Sequence, residues 1–220
     1  MLKGVFNLSK KIFWIVGVIA VCVIGIILLT NTSSKSAEIN YDGQPFIGEE
    51  SAPVEIVEFG DYKCPHCGDF NNSIYPIIKE ELVDKGYAKF YFMNYAFIAP
   101  DSTISAEFAE TVYQELGNEM FWKFHHLLFE NQTNEAGQEN LMSEEFLKSV
   151  LAKVSTPEET EQVGKAFSEG KGKEALELDL NIGNYLGVNS TPTVYIGGEE
   201  FTGQTIADLI EMVDEKANGQ

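Results

Sequence analysis

The sequence predicts an α/β domain interrupted by an all-helical insertion and preceded by a membrane-spanning helix. Three observations predict it. A charge-free apolar run covers Ile12 to Leu29. A strand–turn–helix–strand pattern runs from Val54 to Tyr95. Helical spacing then holds from Ser102 to about Leu186, before strand character returns at Thr193.

Composition narrows the possible functions first. Of 220 residues, 44% are hydrophobic and 22% charged, an ordinary globular balance. There are 15 Lys and no Arg against 34 Asp and Glu, giving a net charge of −19. Such a chain repels phosphate backbones, which excludes nucleic acid as a partner. The missing Arg also removes the usual bidentate clamp for phosphate or carboxylate ligands.

The elements follow in order. Residues 1–11 are a short tail carrying Lys3, Lys10 and Lys11. As a helix, the 18 residues from Ile12 would span roughly 27 Å, near the hydrocarbon thickness of a bilayer. Residues 12–30 therefore read as a transmembrane anchor. The Lys flank places the N-terminus in the cytoplasm and the remainder outside. A cleaved signal peptide is the competing reading, but its apolar region is usually shorter, about 7–15 residues. Residues 31–40 are a Ser-rich polar linker.

Residues 41–100 form the first part of the α/β domain. Gln44–Gly48 reads as a brief edge strand or loop. Pro53 introduces Val54–Phe59, a strong strand. A helix follows Cys64 to about Lys85, with Pro76 inside it to kink it. Lys89–Tyr95 is the second strand, and the βαβ order implies parallel pairing. Residues 101–186 are the helical insertion. Its helices are expected over Ala106–Leu116 and Glu119–Phe129, then from Ser143, Pro157 and Lys173, the last stopped by Gly187. Residues 187–220 complete the α/β domain. Thr193–Ile196 is a strand, Gly197-Gly198 a hairpin turn, Glu199–Thr202 the return strand, and Thr205 caps a last helix.

The chemistry concentrates at Cys64-Pro65-His66-Cys67. Besides Cys22 in the apolar run, the chain has no other Cys, so a disulfide framework is excluded. A Cys at a helix start meets unsatisfied N–H groups and about +0.5 of an elementary charge. A thiolate is stabilised there and its pKa falls. Cys64 is expected to be the exposed attacking sulfur, and Cys67, one turn in, the buried resolving one. Pro65 pre-sets the first turn. His66 adds a donor and a potential positive charge, favouring the thiolate and hence an oxidising pair. Zinc would need four ligands, and the adjacent His125 and His126 point in different directions. Haem attachment would need His at position 68, which is Gly. An inert disulfide in so short a loop is the remaining alternative. Of the two histidines, one is expected packed and one exposed; Trp122 reads as core, able to border a substrate groove. Asp61 is expected in solvated loop.

Cys64-Pro65-His66-Cys67 after a strand, with Thr191-Pro192-Thr193 before the last strands, resembles the thioredoxin superfamily. The helical insertion looks like the DsbA branch. The stretches Ala52–Cys64 and Gly187–Pro192 look like its membrane-anchored Gram-positive members, the BdbD type. The resemblance implies a thioredoxin-like fold over about residues 40–216. It also implies a cis Pro192 against the attacking sulfur and substrate pairing by the Thr191 backbone. It implies that Glu58, a costly carboxylate in a central strand, relays protons near Cys67; a solvated position at the strand end is the other reading. It further implies a calcium site between the two parts, with Gln44, Glu110 and Asp179 at the matching positions; solvated surface is the other reading of those three.

The expected function is an extracytoplasmic thiol:disulfide oxidoreductase, single-pass in the cell membrane. It would introduce disulfides into reduced secreted or membrane proteins. No cofactor is required beyond the Cys64–Cys67 pair, and a membrane quinone-linked partner of the DsbB or BdbC kind would reoxidise it. A disulfide reductase or isomerase, or a thioredoxin-like binding or chaperone module, are the alternatives.

Overall fold

The computed structural model describes residues 14–18, 37–132 and 142–219. Residues 14–18 are helical and exposed and belong to a unit separate from residues 37–220. Among the described residues no helix is long and apolar enough to cross a membrane. The predicted anchor over 12–30, apart from 14–18, lies outside the described residues, as does Cys22.

The second unit is built on a five-stranded sheet in the order β1-β3-β2-β4-β5. These are β1 (Phe46–Ile47), β2 (Val54–Gly60), β3 (Ala88–Asn94), β4 (Thr193–Ile196) and β5 (Glu199–Glu200). β2 and β3 pair in parallel, from Val54 against Ala88 to Gly60 against Asn94. β4 runs antiparallel to β2, and β1 antiparallel to β3 at the edge. The two central strands are covered on both faces, which explains their near-continuous apolar sequences. Side chains alternate: Ile56, Phe90 and Ile196 enter one core, and Val57, Phe59 and Tyr91 the other. Glu58 shares the parity of Ile56.

After β2 the chain forms α1 (Pro65–Asp69) and α2 (Tyr75–Ile78), joined and followed by two wide π-helical stretches, Phe70–Ile74 and Lys79–Val83. The expected kink at Pro76 takes this form. Pro76 has no N–H to give the preceding turn, and Tyr75 N–H reaches five residues back to Phe70 O.

The helical region comprises α3 (Pro100–Glu130), α4 (Glu144–Leu151), α5 (Pro157–Ser168) and α6 (Lys173–Leu186). The two helices expected over 106–116 and 119–129 are both present within α3 and meet at a kink at Gly117, whose φ of 80° is non-helical. Phe108, Phe121, Phe124 and Leu128 are fully buried along α3, each contributing roughly 1.5–3 kcal/mol. Ser143 and Thr156 cap α4 and α5 as their sequences imply, and Gly187 ends α6 in the left-handed conformation. The hairpin turn Gly197-Gly198 has positive φ at both residues. The return strand is shorter than expected, only Glu199–Glu200. Thr205 caps α7 (Ile206–Asn218) through a capping box with Asp208.

Candidate active site

The site begins where β2 ends. Asp61 makes the turn: its Oδ1 accepts the N–H of Lys63 at 2.8 Å and its carbonyl accepts that of Cys64 at 2.9 Å. Its Oδ2 accepts the N–H groups of Phe97 and Ile98 at 2.9 and 3.0 Å. Asp61 is 1% exposed, so the expectation of a solvated loop carboxylate is overturned. Four backbone-directed bonds satisfy it and tie the Cys turn to the loop after β3.

Cys64 is the N-cap of α1, with extended backbone at φ −80° and ψ 116°, and Pro65 opens the helix. The two cysteines are free thiols. Cys64 is more covered than its expected role suggests: 4% exposed, against 0% for Cys67. The cover is the Thr191–Pro192 turn, whose peptide bond is cis. Cys64 Sγ donates to the Thr191 carbonyl at 3.2 Å. The Thr191 hydroxyl is buried without a partner, free to donate to the sulfur once it has lost its proton.

These contacts set the acidity of the pair. The Cys67 thiol donates to Cys64, and the Thr191 side chain and the N–H groups of Cys67 and His66 add to it. Against the opposing effect of burial, they bring the Cys64 thiol down to about 5. Cys67 is pushed strongly up, by its bond to Cys64 and by burial. The two sulfurs thus have opposite preferences, one anionic and one protonated.

His66 contributes its backbone rather than its ring. The side chain is 82% exposed and lies 3.8 Å from Asp69 Oδ2. The expected cation beside Cys64 is replaced by a main-chain donor. Glu58 is 1% exposed, and its Oε1 has no partner. Burial first, and then the Cys64 charge, push its carboxyl well above the usual range.

Tyr62, also buried, donates to or accepts from His125 Nδ1 at 3.0 Å. Burial, with His126 next, holds His125 well below its ordinary value, so the ring is neutral. His126 is only partly exposed, not solvated as expected, and bonds Asn71 at 2.6 Å. Burial pulls it down to about 4. Trp122 is 4% exposed and stacks on Tyr75 at 6.1 Å, in the core.

Gln44, Glu110 and Asp179, three residues far apart in sequence, are brought together. All are buried, which overturns the solvated-surface reading. Gln44 Nε2 donates to Asp179 Oδ1 at 2.6 Å. Asn94, the last residue of β3, donates its N–H to Asp179 Oδ2 at 2.7 Å and its Nδ2 to Glu110 Oε1 at 2.7 Å. Two amide oxygens, Gln44 Oε1 and Asn94 Oδ1, have no partner. Burial and then the Asp179 charge raise Glu110, and burial pushes Asp179 up to about 7. Two buried carboxylates with two orphan amide oxygens form an all-oxygen donor set that fits a hard cation such as Ca²⁺. No group of three or more His, Cys, Asp or Glu suited to a metal occurs among the described residues; half of this set is amide. Asn94 was missed by the sequence reading, although a polar residue closing the apolar strand KFYFMNY was a visible signal.

Comparison with known proteins completes the site. A family model described as thioredoxin matches residues 40–215. Disulfide bond formation protein D of Bacillus subtilis is 34% identical over 181 residues, 82% of this chain and 80% of that protein. The probable disulfide bond formation protein D of Bacillus cereus is 31% identical, over 85% of this chain and 86% of the relative. The crystal structure of oxidised BdbD from Bacillus subtilis superposes with a TM-score of 0.77 at 31% identity, covering 84% of this chain and 98% of that one. The crystal structure of DsbA from Chlamydia trachomatis, 19% identical, shares the fold with a TM-score of 0.69, over 84% of this chain and 96% of that one.

Proposed function

We propose, since this chain belongs to the DsbA branch of the thioredoxin superfamily and is a protein disulfide oxidoreductase, that it works outside the cytoplasm as an oxidant of newly exported thiols. The observation that carries the direction is the asymmetry of the two sulfurs. Cys64 is held as an anion at about 5, and Cys67 is held protonated. Such an arrangement stabilises the dithiol product, and a pair with a stabilised reduced form is a strong oxidant.

The cycle starts from the Cys64–Cys67 disulfide. A client thiolate attacks Cys64 Sγ, the S–S bond breaks, and Cys67 leaves with the electron pair. Cys67 takes up a proton, for which Glu58, a buried carboxyl near it, is the relay. A second client thiolate attacks the client sulfur of the mixed disulfide and expels Cys64 as its stable thiolate. The client loses two electrons to the pair. A membrane quinone-linked partner takes them to restore the disulfide. Thr191 and Pro192, lying on Cys64, are placed to align the client backbone there. Phe97 and Ile98, 54% and 44% exposed and tied to the same turn through Asp61, offer apolar surface to an unfolded chain.

The extracytoplasmic assignment rests on the run Ile12–Leu29 and its Lys flank. We assign that run as a single-pass anchor. Equilibration of the purified chain in glutathione buffers tests the direction. The expected reduction potential lies far above thioredoxin's roughly −270 mV, towards −120 mV. A value as low as thioredoxin's would overturn the oxidant reading.

We also assign Gln44, Asn94, Glu110 and Asp179 to a structural Ca²⁺. The ion would supply the positive charge that two buried carboxylates lack. Calcium at about 100 times its dissociation constant is expected to stabilise the chain by about 2.7 kcal/mol. Asp179→Asn is expected to abolish that response in a thermal melt. A melting temperature indifferent to calcium in the parent chain would remove the assignment.

A further inference from the structure

Three successive residues before and at the attacking sulfur are each held by one helix of the inserted region or the residue just beyond it. The Tyr62 hydroxyl meets His125 Nδ1 at 3.0 Å. Lys63 Nζ lies 3.0 Å from Asp101 Oδ2, with the two side chains 12% and 1% exposed. The third hold is the closest to the chemistry. Gln132, two residues past α3, donates its Nε2 to the Tyr62 carbonyl at 2.9 Å and to the Cys64 carbonyl at 2.8 Å.

We infer that Gln132 is a positioning residue for Cys64, acting through the main chain of the Tyr62–Cys64 turn. The inference rests on the active-site reading above and adds the residue that holds the nucleophile in place. Besides Gln132, the Cys64 carbonyl accepts the helical bond from Gly68 N–H, at 3.2 Å. The shorter bond from Gln132, at 2.8 Å, pins the N-cap peptide. The extended backbone at Cys64 aims its sulfur at the N–H groups of His66 and Cys67. A cap free to swing would lose that alignment, and hydrogen bonds to an anion weaken steeply off line.

Gly68 supports the same device. A Cβ at that position would stand 2.5 Å from Gln132 Oε1. Only glycine leaves the amide room to lie across the first helical turn. This explains the Gly after Cys67 without appeal to backbone freedom, since Gly68 lies within α1.

The test reads the acidity of Cys64, which general destabilisation does not move. The full chain is alkylated in its dithiol form across a pH series. Peptide mass spectrometry follows Cys64 separately from Cys22 and Cys67. The parent midpoint is expected near 5. Gln132→Leu, similar in size without donors, is expected to raise it by about one unit, the worth of one charge-assisted hydrogen bond. Gly68→Ala, which displaces the amide and keeps its chemistry, is expected to give the same shift. The double variant is expected to shift no further. A midpoint unmoved in either single variant, or shifts that add in full, would overturn the role of Gln132. A parent midpoint at the ordinary thiol value would instead overturn the active-site reading itself.

Discussion

Cys64→Ser reduces disulfide transfer to the uncatalysed background, and Cys67→Ser leaves the chain covalently joined to its client. The first result follows from the acidity of the pair. At pH 7 a thiol with a pKa of about 5 is about 99% ionised, whereas one at the ordinary 9.0 is about 1% ionised. That difference of about 100-fold in anion population applies to Cys64 as attacking group, and the low pKa itself makes it the faster leaving group. A Ser hydroxyl does neither. The second result follows from the other sulfur. Cys67 is wholly buried, so no client reaches it; its task is to close back on Cys64. Without it, an attack by Cys64 on a client disulfide stops at the mixed species. Non-reducing electrophoresis with a disulfide-bearing peptide shows that adduct as a band lost on reduction. Turnover by Cys64→Ser, or a Cys67→Ser chain that releases its peptide unaided, would remove the assignment of roles.

Much of this site was legible because it is local. Cys64, Pro65 and Cys67 follow a strand and open a helix, and both facts are written in consecutive residues. The caps Ser143 and Thr205, the helix start at Pro157 and the stop at Gly187 are local too. Glu58 stood out because a carboxylate between Val57 and Phe59 violates the strand's own pattern. What escaped depends on pairings at long range. Asp61 looked solvated because nothing nearby in sequence shows that the N–H groups of Phe97 and Ile98, about 36 residues on, arrive to bond it. His66 looked catalytic by composition. Its ring faces Asp69 and solvent, because a residue on the first helical turn can face either way. Gln132 had no motif at all; its contacts to Tyr62 and Cys64 span about 70 residues. The oxygen cluster was carried only by family likeness, and Asn94 was absent from it until the end of β3 was seen beside Glu110 and Asp179. The break at Gly117, by contrast, falls between the two helices that the periodicity separates, because a glycine between two helical runs is a local signal.

Glu58→Leu is expected to stabilise the fold as it slows the reaction. The carboxyl is buried, one oxygen has no partner, and its pKa lies well above the ordinary 4.5. Below about 4.5, folded and unfolded chains both hold the proton and Glu58 adds no pH dependence. Above it the unfolded chain ionises and the folded one does not. Stability therefore falls by about 1.4 kcal/mol per pH unit until the pH passes the folded value, and then levels off. The Leu variant lacks this loss, so its advantage grows with pH, reaching on the order of 1–4 kcal/mol near neutrality. Glu110 and Asp179 are also raised by burial, but they are present in both chains and cancel in the difference. Urea unfolding of the two dithiol forms at pH 5 and pH 8 measures it. The same substitution removes the proton relay beside Cys67. Formation of the mixed disulfide, the step in which Cys67 leaves and takes up a proton, is then expected to slow by about 100-fold, the lower end of general acid–base contributions. A stability difference that does not change with pH would mean that Glu58 is ionised in the folded chain. It could not then carry the proton that Cys67 takes up. The gain in stability and the loss in rate thus have one origin: a carboxyl kept neutral where the fold would be better served by a methyl group.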